Sequence, residues 1–255
     1  MNRYLIKFIQ VSFAFIFVYL FWKGFIWIFH YPTYILPSPG LVWNKLFLLF
    51  QSGKIYPHLQ ITLTEIFAGF FFGSTLAMIS GYILAKKRVL HITIAPYIVA
   101  FQSIPIVALA PLFIIWFGFG ITSKIIICAI IVFFPVMINT IAAISNIEET
   151  KKDLMRTFNS SFLDNLLKLE IPHSLPYLFS SMKIGIVLSI VGAIVGEFMG
   201  ASYGLGFLIN SSLGLFDTPQ LFAVIFILAL LGIILYTVST SLESFFVKRG
   251  GKYEN

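Results

Sequence analysis

The chain is 255 residues long, 59% hydrophobic and only 11% charged, with a mean hydropathy of +0.96. A soluble globule has too little polar surface here to cover so much apolar side chain, so a water-soluble fold is excluded and a bilayer is the expected surroundings. The net charge of +7 has to be explained in that setting.

Read from the N-terminus, the first apolar run covers residues 9–29 and carries Lys23. Arg3 and Lys7 precede it as they would a secretory signal, but no small-residue cleavage site follows, and Trp22, Lys23 and Trp27 occupy that place. It is read as a retained anchor. The next segment, "YPTYILPSPG", is proline-rich and predicted to be extended or turning, and "LVWNKLFLLF" after it is amphipathic, the pattern of a helix lying along the membrane surface.

Uncharged runs follow at 66–85, 92–123, 125–147 and 218–242, each at or above the roughly 20 residues that cross a hydrocarbon core. Residues 178–200 make a further span with Lys183 and Glu197 in it. The expected fold is therefore all-α and integral to the membrane: a single domain over 1–255 with about six transmembrane helices and one long loop, about 147–177, between the fourth and fifth. Run 92–123 is too long for one straight span, and Pro96, Pro105 and Pro111 interrupt it, which predicts a broken or kinked helix.

Orientation follows from the cations. With the N-terminus inside, thirteen of the seventeen Lys and Arg fall on inner segments and four on outer ones (Lys23, Lys45, Lys54 and Lys124). Both termini are expected in the cytoplasm. The positive charge then needs no nucleic-acid partner.

Several residues stand out as candidates. In the fifth span Gly192, Gly196 and Gly200 recur every four residues, beside a second small row at Gly185, Ser189 and Ala193 that continues to Glu197. Such rows lie on one helix face and let backbones approach, either for packing within the chain or at a subunit interface or pathway wall. Gly69 and Gly73 form a shorter version. An ionisable group within a span is a functional candidate by default, although Glu197, near the outer end, could equally cap the loop "GASYGLG". Glu65 reads as an interfacial charge. Gln102 and Ser103, beside Pro105, could line a cavity or serve the backbone groups freed at the kink.

The least typical stretch is "DLMRTFNSSFLDNLLKLEIPHSLPYLFSSMKIG", residues 153–185. Asn146 with Glu149 and Ser161 with Asp164 each set a capping side chain three residues before an acidic one, which predicts two short helices. Asn159 stands where the first must stop, since Asn accepts the left-handed conformation of a C-terminal cap. Leu154, Met155 and Phe158 give the first helix an apolar face, Phe162, Leu163, Leu166, Leu167 and Leu169 the second, and Pro172 and Pro176 are expected to end the pattern. A lipid-binding helix has a dominantly basic polar face. Here Glu148, Glu149, Asp153, Asp164 and Glu170 are mixed among the cations, so a protein partner is the better reading.

"DLMRTFNSSFLDNLLKLEIPHSLP" resembles the cytoplasmic coupling motif of permease subunits in binding-protein-dependent ABC importers, whose usual form is Glu-Ala-Ala, three residues, Gly, nine residues, Ile-x-Leu-Pro. Asp153 matches the Glu and keeps its charge, Leu154 and Met155 match the two Ala, and Asn159 matches the Gly and keeps the turn. "LPSPG", "PIVALAPLFIIWFGFG" and "GEFMGASYGLGFLI" are, in the same order, similar to the nitrate, sulfonate and taurine branch of these permeases.

The resemblance implies a permease, expected as a homodimer, on a dimer of ABC ATPases in the cytoplasmic membrane of a bacterium or archaeon. An extracytoplasmic solute-binding protein would feed it. It implies an ATPase-docking surface of Asp153, Leu154, Met155, Arg156, Phe158, Asn159, Ser160 and Ser161. Gln102, Ser103, Gly192, Gly196, Glu197 and Gly200 are the candidates for a translocation path or moving interface.

The chain has no Gly-x-x-x-x-Gly-Lys-Ser/Thr loop to cradle nucleotide phosphates, so ATP and magnesium belong to the partner and no cofactor or metal is expected in this chain. An ion-coupled secondary transporter is the alternative, needing no ATPase, but such proteins usually show buried ionisable relays and paired halves. A membrane enzyme is a third reading. His30, His58, His91 and His173 are scattered near span ends without a His-Glu-x-x-His pair, Cys128 has no partner, and no Gly-x-Ser-x-Gly turn occurs. The solute is expected to be a small polar or anionic one, of sulfonate, nitrate or vitamin-precursor type.

Overall fold

In a computed structural model of the chain, residues 3–250 are described, with the side chains of residue 13 and of 16–246. Lys252 lies outside the described residues, and Arg3, Lys7, Lys248 and Arg249 contribute backbone alone. Every regular element among the described residues is helical: α1 (Arg3–Phe29), α2 (Pro39–Gln51), α3 (Ile55–Lys86), α4 (Arg88–Gln102), α5 (Ile106–Phe117), α6 (Ile121–Ser145), α7 (Glu149–Thr157), α8 (Phe162–Asp164), a π-helical turn (Asn165–Glu170), α9 (Ile171–Phe198), α10 (Leu205–Gly214) and α11 (Thr218–Gly250). Four helices are long and apolar enough to cross a membrane, and a fifth span results if α4 and α5 are one broken crossing.

The centre is α6, packed between α3 and α9. Lipid tails are as apolar as leucine, so helix association in a bilayer depends on close packing more than on hydrophobic burial. The sequence supplies that closeness with glycine. Gly73 on α3 lies so near Ala129 of α6 that a β-carbon would meet its backbone; Gly69 on α3 and Gly192 on α9 both lie against Cys128 of α6. Phe70, Val132, Val136, Ile186 and Ile190 fill the layers between. A second apolar cluster joins α2, α10 and α11 through Val42, Leu49, Leu208 and Val224. α1 leans on α11 through Trp22, whose ring lies 5.5 Å from Phe222 and 6.0 Å from Phe226.

The long run 92–123 is broken as its prolines predict, with α4 and α5 meeting at 93°. The break falls at Ser103–Pro105, while Pro96 and Pro111 sit inside their helices. Pro105 needs no amide hydrogen bond as the N-cap of α5. The pair starts beside the end of α3 and leaves at Phe119, against Gly200 at the other end of the bundle.

The amphipathic helix after the proline-rich turn is also present: Ser38 accepts from the Leu41 N–H, Pro39 takes the first turn, Val42 and Leu49 are buried, and Trp43 and Phe47 are exposed.

Three local expectations differ from what is found. Asn146 does not cap α7 but closes α6, and α7 begins after Glu148 without a side-chain cap. Pro172 and Pro176 do not end the helical pattern, because α8, the π-turn and α9 form one apolar run from Phe162 to Phe198. Pro172 removes an amide donor and crowds the preceding turn; the wider π-turn just before it relieves that conflict without a break. Lys124, assigned by charge to an outer loop, is buried in the first turn of α6.

Candidate functional site

Two regions, at opposite ends of the bundle, hold most of the candidate residues. At the end where α3 begins, Glu197 is buried in the last turn of α9, and its two carboxylate oxygens have different partners. Oε1 accepts from the Thr62 hydroxyl at 2.6 Å, and Oε2 accepts from the Gly206 N–H. Thr62 in turn accepts from the Leu205 N–H at 2.8 Å. Leu205 and Gly206 open α10, so Glu197 and Thr62 together satisfy amides that a helix start leaves orphaned.

His58 completes the enclosure. Its Nδ1 accepts from the Gly204 N–H at 3.0 Å, and its ring stacks on Phe207 at 5.8 Å. Gly204 is required twice: its φ of +119° suits glycine, and a β-carbon there would sit in the Glu197 carboxyl group.

Lys124 donates to the carbonyls of Phe119 (2.8 Å) and Gly120 (3.0 Å), while its charge acts on both Glu197 and Glu65. Glu65 was expected at the membrane interface. It is instead fully buried, faces the Glu197 carboxyl, and receives no hydrogen bond from a protein N–H or hydroxyl at either oxygen. The physical reason lies in its register: Glu65, Gly69, Gly73, Ala77 and Gly81 recur every four residues along one buried face of α3. That stripe was the available signal for Glu65. His58, Thr62 and Lys124 had none in the one-dimensional pattern.

Of the residues proposed for a path or interface, Gly192 and Gly196 lie against Cys128 and Lys124 of the same chain. Gly200 follows α9 with a φ of +127° and abuts the Phe119 ring. Gln102 and Ser103 are exposed at the α4–α5 bend, away from the Glu197 region, with Ser103 Oγ donating to the Val99 carbonyl at 2.9 Å.

At the opposite end, α7 buries no residue. It stops in a Schellman cap, with the Asn159 N–H donating to the Arg156 carbonyl (2.9 Å), the Ser160 N–H to Met155 (3.1 Å), and Asn159 at φ +49°. Ser161 and Asp164 form the capping box that starts α8. Asp153 and Arg156 pair with each other at 2.7 Å on the exposed face, and Leu154 and Phe158 stand in the open beside them with Phe162, Leu163 and Leu167. A closed turn between α7 and α8 with uncovered apolar side chains describes a folded, exposed surface.

The fold and these two regions define a multi-pass helical membrane protein with a structured surface segment between two spans. Residues 69–250 match the family described as the binding-protein-dependent transport system inner membrane component, and the chain belongs to that family. It is a transport permease, and the family resemblance read from the sequence holds.

Among relatives, it is 39% identical over 229 residues to the riboflavin transport system permease protein RibX of Chloroflexus aurantiacus, covering 90% of this chain and 85% of that one. It is 31% identical over 211 residues to the formylaminopyrimidine transport permease protein ThiX of Halalkalibacterium halodurans, covering 83% and 84%. The putative aliphatic sulfonates transport permease protein SsuC of Bacillus subtilis is 29% identical over 220 residues, covering 86% and 80%. The inward facing MetNI methionine ABC transporter shares the fold, with a TM-score of 0.67 at 18% identity over 75% of this chain and 96% of that one.

Proposed function

We propose that this chain is the membrane-spanning subunit of an ABC importer, driven by a separate ATPase pair that docks on residues 147–177, paired with a second permease copy and supplied by an extracytoplasmic binding protein. The observation that carries this is the segment 149–170, capped at its turns yet with its apolar side chains uncovered. In this reading α1, α3, the bent pair α4–α5, α6, α9 and α11 are six crossings. Both termini and the docking segment then share the cytoplasmic side, and the Glu197 region faces outward. Nucleotide binding in the ATPases moves the docked segment, and the helices tilt so that a central path opens to alternate sides. Gln102 and Ser103 put polar groups at the bend, where such a path could be lined; Gly192 and Gly196 keep α9 close to the helix it moves with.

The solute is small and polar or anionic. Within that class the relatives named for riboflavin and formylaminopyrimidine, at 39% and 31% identity, weigh toward a planar nitrogen heterocycle over a sulfonate.

The test is to tag the chain in its native host, solubilise the membranes gently and identify copurifying proteins by mass spectrometry, beside the double variant Asp153→Lys, Arg156→Glu. The exchange keeps an opposite-charge pair at 153 and 156, gives up the exposed Arg156–Glu149 pair, which is worth at most about 1 kcal/mol, and reverses the charge pattern toward a partner. An ATPase recovered with the wild type and lost from the variant at equal membrane abundance supports the reading. Equal recovery from both moves the docking contacts elsewhere; no ATPase with either form removes the importer reading and favours ion coupling.

A further inference from the structure

Between Glu148 and Glu170 every residue is exposed or half-buried except the last. That exception is a carboxylate: Glu170 is 5% exposed. A charge is the costliest thing to bury, and this one is fully partnered. Its Oε2 accepts from the Tyr82 hydroxyl at 2.8 Å, and its Oε1 forms an ion pair with Lys86. Tyr82 and Lys86 lie one turn apart on the last stretch of α3, and the Lys86 ammonium also sits 5.6 Å from the Tyr82 ring centroid. The only buried side chain between residues 148 and 170 is therefore tied to α3, the helix that packs most extensively on α6.

The backbone route from the segment is different in kind. It passes through the π-turn Asn165–Glu170 into α9. A π-turn is a single wide turn that a one-residue shift of hydrogen-bond register can convert to α-helix, and such turns are places where helices yield. A yielding turn at this junction means that movement of α7 carried as far as Glu170 need not pass on along the backbone of α9. Glu170 ends that turn, and its side chain pins this end to α3.

We infer that Glu170, clasped by Tyr82 and Lys86, is the joint that passes movement of the docking segment to α3 and, through the glycine-packed face of α3, to α6. Glu170 is a positioning residue and touches neither solute nor nucleotide. The inference rests on the importer reading above. Lys183 with Glu243, at 2.6 Å, fastens α9 to α11 but involves no residue of the segment.

The experiment uses the complex purified from the native host, with an environment-sensitive bimane fluorophore on Tyr56→Cys at the far, exposed end of α3. Emission is recorded before and after trapping ATP with vanadate. Wild type and the charge swap Lys86→Glu, Glu170→Lys are expected to show the same emission change. Lys86→Glu alone and Glu170→Lys alone are expected to lose at least half of it while copurifying the wild-type amount of ATPase and still hydrolysing ATP. Glu170→Gln keeps the shape and an acceptor for Tyr82, and is expected to fall between.

A full emission change in the single variants overturns the joint and leaves the importer reading standing. Single variants that lose the ATPase altogether also overturn it, because Glu170 would then serve the docking surface itself. If the wild type copurifies no ATPase, the importer reading falls and the joint falls with it.

Discussion

The two ends of this molecule are built on opposite principles. Around Glu197 two regions distant in sequence interlock: Thr62 of α3, with Glu197 and the Leu205–Gly206 amides of the α9–α10 turn, forms one hydrogen-bonded knot, His58 closes it from the side, and glycine is required where the Glu197 carboxyl comes close. Along 149–170 the bonds are between neighbours, as in the Asn159 turn and the Ser161–Asp164 box, and a single buried side chain reaches the body. The first arrangement has no freedom to spare. The second holds its own shape while leaving its faces uncovered, as the proposed docking of an ATPase would require.

The contrast can be broken most severely at Gly204. Gly204→Ala forces a β-carbon into the Glu197 carboxyl and a non-glycine residue to φ +119°. The two penalties together cost about 4 kcal/mol, and the protein is expected to lose most of its folded yield in mild detergent by size-exclusion chromatography. Gly214→Ala, where a β-carbon meets nothing within 4 Å, is the matched control and should elute as wild type. Equal losses in both would mean that the knot is looser than its geometry.

Glu197 comes next. Glu197→Ala strands the Gly206 amide and deprives the Thr62 hydroxyl of its acceptor, costing about 3 kcal/mol. Glu197→Gln retains an acceptor oxygen and should cost roughly half as much. Thermal unfolding in detergent should rank them in that order below wild type. A Glu197→Gln variant that melts with wild type yet has lost transport would shift Glu197 from fastening the fold to handling the solute.

How much of this was visible in the sequence differs between the ends. The spans follow from runs of apolar residues, and the break between α4 and α5 follows from proline spacing, although which proline would mark it does not. Pro96 and Pro111 are accommodated within helices and Pro105 is not, a choice made by packing. The turn at Asn159 and the box at Ser161 were legible because the partners lie within six residues of one another. The Glu197 knot was not, because it joins residues 135 positions apart. Glu65 could have been read from its four-residue register with Gly69, Gly73 and Gly81, a stripe that marks a face too tightly packed to be an interface with water. Glu170 looked like one more surface acid among five; its burial depends on Tyr82 and Lys86, 88 and 84 residues away.

The smallest expected effect sharpens the comparison most, because it should be felt at one end only. Ser161→Ala removes the hydroxyl that accepts from the Asp164 N–H at 3.1 Å and should weaken the first turn of α8 by about 1 kcal/mol. Hydrogen exchange at the amides of 163–165 is then expected to quicken roughly fivefold, the factor that such a free energy sets for local opening. The melting temperature should stay at the wild-type value, since the turn is exposed and frays without disturbing the core of α3, α6 and α9. If melting falls as far as with Glu197→Gln, the segment 149–170 unfolds together with the bundle. Its uncovered faces would then belong to one cooperative body, and independent movement of the segment about Glu170 would have no physical basis.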